Sequence, residues 1–136
     1  DIAFRGTTII VNGGASTGTN DEPTRTGAAA AGIANGTFAT VVSADIALTQ
    51  DSASGPAIQS GSGNGWYTYS GPPTFIITPT PGKILVFKTR DDRYAKVEIL
   101  SYYKNAPASP NAFVDESRYY TFNYLYNPNK GNTDLQ

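Results

Sequence analysis

The side chains available for chemistry in this chain are carboxylates, hydroxyls, amines and phenols, because histidine, cysteine and methionine are all absent. Their absence excludes disulfides, thiol nucleophiles, Cys/His zinc sites and His-dependent triads. The acidic residues fall in pairs, Asp21-Glu22, Asp91-Asp92 and Asp115-Glu116, each in a predicted turn or loop. A glycosidase needs two carboxylates across a cleft, one of them with a raised pKa, and adjacent pairs on loops supply no such arrangement. Calcium needs a cluster of oxygen ligands larger than Asp91-Asp92. The run Ser60-Gly61-Ser62-Gly63-Asn64-Gly65 follows no phosphate-loop spacing and opens no helix. The expectation is a protein without enzymatic activity.

Phenols are the remaining group of interest, with nine tyrosines in the chain. Tyr67 and Tyr69 alternate directly after Trp66, the single tryptophan. A tyrosine phenolate can hold iron, whereas tyrosines at alternate strand positions commonly pack their rings and bond their hydroxyls at the rim. Trp66 fits a core anchor and a stacking platform equally well. Both readings stay open on sequence alone.

The elements that must position these residues read as strands. Thr7-Thr8-Ile9-Ile10-Val11 is β-branched and stops at Asn12-Gly13; Thr37-Phe38-Ala39-Thr40-Val41-Val42 begins after Asn35-Gly36; Trp66-Tyr67-Thr68-Tyr69 begins after Asn64-Gly65. Lys83–Lys88 and Tyr94–Tyr103 flank the polar segment Arg90-Asp91-Asp92-Arg93 and form the strongest hairpin signal. In its second arm Ala95, Val97 and Ile99 point one way, Lys96 and Glu98 the other. Arg118–Tyr126 places Tyr120, Phe122, Tyr124 and Tyr126 opposite Thr121 and Asn123. This pattern predicts an antiparallel sheet with one wet face.

Two stretches break the pattern. From Asn12 to Gly36, 17 of 25 residues are Gly, Ala, Thr or Ser, and Ile33 is the one aliphatic side chain larger than alanine. A long surface excursion is expected there, with Gly27–Gly32 forming at most one helical turn. Gln50 to Asn64 has the same character. Asp51-Ser52-Ala53 within it matches a short Asp-Ser/Thr-small motif for O-glycosylation of exported bacterial proteins, which makes Ser52 a candidate modification site. Asn35-Gly36-Thr37 also fits the N-glycosylation sequon.

The whole chain has 136 residues, 39% of them hydrophobic, which suits one domain. Ten basic and eleven acidic residues leave a formal charge of −1, too weak a field to recruit nucleic acid or anionic lipid. No apolar run approaches the roughly 20 residues of a membrane helix. Many Gly, Pro, Thr and Tyr residues favour strands and turns. The fold class is therefore all-β, with antiparallel sheets and long Gly/Ala/Thr/Ser-rich loops.

The segment Tyr94–Lys104, the Ala/Pro-rich loop after it, and Ser117-Arg118-Tyr119-Tyr120-Thr121-Phe122-Asn123-Tyr124 together resemble the HmuY family of haem-binding bacterial surface lipoproteins. Asp1-Ile2-Ala3-Phe4-Arg5 resembles the family's early Trp-Asp-x-Ala segment without its Trp, and Gly65–Ser70 resembles its central aromatic strand. The resemblance implies an all-β fold, a place on the outer face of the outer membrane or in the medium, and capture of haem for an outer-membrane transporter. It also implies that residues 1–136 are one domain whose upstream part, with a lipobox Cys and one or two strands, is missing. Where the family has an axial ligand after the central strand, this chain reads Tyr69-Ser70-Gly71-Pro72. Neither Ser70 nor Gly71 ligates iron, and no His or Met stands before Trp66 either. Haem or another flat apolar ligand would then be held by Trp66, Tyr67 and Tyr69 with Ser70 and Gly71 beside them, and with a tyrosine phenolate or a lysine amine as the available iron ligands, Tyr67 and Tyr69 being the nearest candidates. Arg90, Arg93 and Arg118 match propionates in chemistry, although neighbouring acidic residues also suit them to surface ion pairs. The competing expectation is a surface structural or interaction subunit that keeps this fold without haem.

Overall fold

The computed structural model describes residues 1–136 and contains eight strands. β1 (Ile2–Arg5) and β2 (Thr8–Val11) form a hairpin turned at Gly6-Thr7. β3 (Ala30–Asn35), β6 (Lys83–Lys88), β7 (Tyr94–Tyr103) and β8 (Ser117–Asn127) make the main sheet, in the order β3-β6-β7-β8 and antiparallel throughout. β4 (Tyr67–Tyr69) and β5 (Ile77–Pro79) form a second short hairpin. The all-β, antiparallel expectation holds.

The β6–β7 hairpin forms as its sequence predicts. Leu85 pairs with Val97 and Phe87 with Ala95, and Thr89 and Arg93 close the turn through a backbone bond of 2.7 Å. Side chains that alternate along these strands feed two cores. On one face, Leu85, Phe87, Val97 and Ile99 pack with Ile9 and Val11 of β2 and with Trp66, Tyr67, Tyr102 and Tyr103. On the other, Ile84 and Val86 pack with Ala34, Val41, Ala44 and Leu135. The two hairpins thus roof one side of the sheet, and the segment following β3 covers part of the other.

That second cover corrects the expectation of one wet face. Lys96 points away from Val97 as the alternation requires, yet it is buried, because the turn at residues 37–41 lies over it. Its Nζ donates to the carbonyls of Phe38 (2.6 Å) and Val41 (2.8 Å) and sits 4.5 Å from the Phe38 ring centre. Burial lowers the Lys96 pKa, opposed by the charge of Asp134.

The segment Thr37–Val42 is not a strand. Thr37 and Thr40 bond each other through side chain and backbone, with Thr37 N donating to Thr40 Oγ1 at 2.9 Å, and this local closure outcompetes a ladder. Conversely, the stretch expected to be a surface excursion contains β3, with Ala29 and Ala31 fully buried and no helical turn. Close approach explains its small residues: a Cβ on Gly32 would lie 2.4 Å from the Ala47 carbonyl oxygen. Ala31 and Thr49 exchange both backbone bonds, at 2.8 and 2.9 Å, sealing the outer edge of β3.

Candidate functional site

Trp66 sits at the centre of a ring cluster and is 2% exposed. Its ring centre lies 4.9 Å from Tyr67, 5.4 Å from Tyr120 and 5.8 Å from Tyr102, all tilted as aromatic quadrupoles prefer. The polar tips are matched. Trp66 Nε1 donates to the Thr7 carbonyl at 2.9 Å, the Tyr120 hydroxyl donates to the Gly6 carbonyl at 2.6 Å, and Tyr103 Oη accepts from Ile77 N at 3.0 Å. Tyr67, 8% exposed, accepts a long bond from Thr7 Oγ1. Burial pushes the Tyr120 phenol well above its ordinary range and raises that of Tyr102, against the opposing charge of Arg118. These rings staple the β1–β2 hairpin to the main sheet and leave no open face on Trp66 for a ligand.

Tyr69 lies outside this cluster, 43% exposed, with its backbone N–H bonded to Ser62 Oγ at 2.8 Å. The next residues build the tip of the β4–β5 hairpin. Ser70 Oγ accepts from Ile76 N at 2.8 Å and shares a hydrogen bond with Thr74 Oγ1 at 2.7 Å. Gly71 adopts φ +65°, and its carbonyl accepts from Phe75 N at 2.8 Å. Ser70 and Gly71 therefore shape the tip, and their polar groups are engaged within it.

This tip presents a residue that the sequence did not single out. Phe75 has φ +55°, a left-handed conformation that costs a bulky side chain about 1–2 kcal/mol. The strain holds its ring outward, 41% exposed, against Phe113 from the β7–β8 loop, with centroids 5.7 Å apart and planes at 89°. Phe113 and Val114 are themselves 73% and 78% exposed. The base of their loop is tied by Lys104 to Glu116 at 2.7 Å, and Tyr119 donates its hydroxyl to Glu116 at 3.2 Å. Lys104 accordingly holds the Glu116 carboxyl below its usual range. Two loops distant in sequence thus meet through a pair of exposed phenylalanines beside Ser70 and Gly71. An apolar ring with φ above zero, in the Pro72-Pro73-Thr74-Phe75 context, has no signature in hydrophobic periodicity.

Arg90 and Arg93 stand apart from this tip, whereas Arg118, at the start of β8 beside Glu116, lies close enough to Tyr102 to act on its phenol. Arg93 lies 3.6 Å and Arg90 3.9 Å from Asp91 in exposed pairs at the β6–β7 turn. No group of three or more Asp and Glu residues is placed to hold a metal ion. As an iron ligand, Tyr67 is unsuited, being buried and bonded to Thr7; of these two candidates Tyr69 is the one with access to solvent. The residues here fit a ligand held by apolar packing and do not fit a pair of axial ligands.

Asp51, the first residue of the Ser52 motif, has a structural task. Its side chain is fully buried and accepts from Val11 N at 2.9 Å, Ala57 N at 2.8 Å and Arg25 Nη2 at 2.8 Å. Arg25 in turn pairs with Glu22 at 2.6 Å. This clasp ties three loops to β2. Ser52 itself is exposed, on a tight turn closed by bonds between Ser52 and Gly55.

The scaffold is all-β, one four-stranded antiparallel sheet roofed by two hairpins, with exposed rings at a loop tip. The family model described as HmuY protein matches residues 1–124, and the chain belongs to that family. No curated protein matches it.

Proposed function

We propose that this protein is an extracellular, non-enzymatic ligand-capture protein that binds haem or a related flat, apolar iron compound for iron acquisition. The ligand packs against Phe75, Phe113 and Val114 at the joined loop tips, with the exposed phenol of Tyr69 on the same hairpin as Phe75. The carrying observation is the strained, outward Phe75: strain of this kind persists where the surrounding structure enforces it, and it concentrates at ligand clamps. Membership of the HmuY family supports haem as the compound. The protein acts at the outer face of the outer membrane or in the medium and passes its cargo to a transporter there. Ser52 is the position offered for O-glycosylation; intact-mass measurement of native and Ser52→Ala protein checks it.

A haem titration tests the binding reading. A shifted Soret band at micromolar haem is expected, and Tyr69→Phe reports whether the phenol reaches iron by removing any high-spin phenolate spectrum. The absence of a Soret shift overturns the assignment of haem. The second reading is a surface interaction subunit without haem, favoured by one further observation: Phe122, Tyr124 and Tyr126 of β8 stand largely uncovered.

A further inference from the structure

Three Asn-Gly pairs punctuate the chain, at residues 12–13, 35–36 and 64–65, and all three carry the same latent chemistry. The glycine nitrogen, once deprotonated, can attack the side-chain carbonyl carbon of the preceding asparagine, because glycine has no Cβ to crowd the five-membered ring that forms. The reaction needs an asparagine amide free to rotate and a glycine N–H that is not engaged elsewhere. The fold therefore decides which pair reacts.

Two pairs are withheld. Asn12 is half-buried; its Oδ1 accepts from Thr26 N at 2.7 Å, and its Nδ2 reaches Asp1 Oδ1 and Thr26 Oγ1, both at 3.5 Å. Gly13 is bridged to Ala28 and buried. In the second pair the nucleophile itself is occupied, since Gly36 N donates to the Gly82 carbonyl at 3.0 Å. Asn35 ends β3 in register with Lys83, whose Nζ donates to its Oδ1 at 2.8 Å.

The third pair escapes both restraints. Asn64 is exposed, and its side chain makes a single long bond, from Nδ2 to the Ser60 carbonyl at 3.3 Å. Gly65 N donates no hydrogen bond. Gly65 is itself fixed, because a Cβ there would lie 2.1 Å from the Gln59 carbonyl oxygen, so the motion falls to Asn64. The loop before it allows that motion: Gly61 and Gly63 have φ of +98° and +80°, and the space beside Gly63 is open.

We propose that Asn64 is a site of spontaneous covalent modification, cyclising with Gly65 to a succinimide that opens to aspartate or isoaspartate. The bond from Gly65 N to Asn64 Cγ forms as the Cγ–Nδ2 bond breaks, and Nδ2 leaves as ammonia with the proton given up by Gly65. Water then adds to one of the two imide carbonyls and releases a carboxylate; no electrons are transferred. The product adds one negative charge to a chain of formal charge −1. That charge stands on a polar cavity of about 580 Å³ that Gln50, Ser52, Gln59 and Ser60 also line. In the isoaspartate form the main chain gains one methylene just before Trp66, in a loop tied to β4 by Gly63 N to the Tyr67 carbonyl at 2.9 Å and by Ser62 Oγ to Tyr69 N at 2.8 Å. Aged protein therefore differs from fresh protein beside Tyr67 and Tyr69. The chemistry is independent of ligand binding at Phe75 and Phe113, and it is read without haem.

The test is incubation of the protein at 37 °C, pH 7.4 and 8.5, folded and in urea, with each asparagine followed by tandem mass spectrometry. In the folded protein, a gain of about 1 Da is expected at Asn64 at least tenfold faster than at Asn12 or Asn35, and faster at the higher pH. In urea the three pairs should react within about threefold of one another, which assigns the selectivity to the fold. Enzymatic methylation of isoaspartate should label the aged wild type and leave aged Asn64→Gln at background. Folded Asn64 reacting no faster than Asn12 or Asn35 overturns the proposal. So does a selectivity that persists unchanged in urea, or an isoaspartate signal that Asn64→Gln leaves intact.

Discussion

The aromatic residues divide into an inner and an outer set that the sequence does not distinguish. The inner set, Trp66 with Tyr67, Tyr102, Tyr103 and Tyr120, is covered by the β1–β2 and β4–β5 hairpins, with Trp66, Tyr103 and Tyr120 each anchored to a backbone group. The outer set, Phe75 and Phe113 at the loop tips and Phe122, Tyr124 and Tyr126 on β8, has exposed rings. Tyr120 and Tyr124 lie on the same face of one strand, yet one hydroxyl reaches Gly6 and the other ring stands in solvent. What separates them is the reach of the β1–β2 roof, a tertiary property. Inner rings hold the fold; outer rings are free to meet something else.

Substitutions sharpen this division, beginning with the largest effect. Trp66→Ala removes the hub of the inner set and is expected to cost about 3–5 kcal/mol, enough to abolish the native transition of a domain this size in urea. Retention of more than half the wild-type stability would return Trp66 to the role of a ligand platform. Asp51→Ala strips the buried partner of Arg25, Val11 N and Ala57 N, and a loss of about 3–5 kcal/mol is again expected by denaturant titration. Phe75→Gly acts in the other direction. Relief of the left-handed strain outweighs an exposed ring contact, so stability holds or rises by about 0.5–1 kcal/mol while ligand binding falls. A clear loss of stability would move Phe75 into the inner set.

The smallest effect is on pH dependence. The Glu22 carboxyl is held well below its usual range, chiefly by the Thr17 hydroxyl, then by the Thr17 and Thr19 N–H groups and Arg25. A carboxylate favoured in the fold contributes stability that is fully present above its unfolded pKa of about 4.5 and is lost as pH falls below that value. Glu22→Gln should lower the melting temperature at pH 7 and flatten its fall between pH 5 and 3. An unaltered acid limb would show that Glu22 does not contribute there.

Much of the frame was legible in the chain. The β6–β7 hairpin is written in alternation and a polar turn, and β8 appears within one residue at each end of its expected span. β3 escaped because its signal is inverted: alanine and glycine there look like a loop, but they are small because the segment following β3 approaches within contact of Gly32. Thr37–Val42 misled in the opposite sense, since its threonines close a turn on themselves. Of the expected ligand residues, Tyr69, Ser70 and Gly71 lie at the candidate tip, while Trp66 and Tyr67 are interior. The missed partners, Phe75 and Phe113, are 38 residues apart in the chain and meet through loop conformation alone.

The direct test of the division is a haem titration run side by side on wild-type protein, Tyr67→Phe and the double variant Phe75→Gly/Phe113→Ser. The account predicts a Soret shift for the wild type, the same affinity for Tyr67→Phe, and an affinity at least tenfold weaker for the double variant. Unchanged binding in the double variant, or loss of binding in Tyr67→Phe with the fold intact, would contradict it.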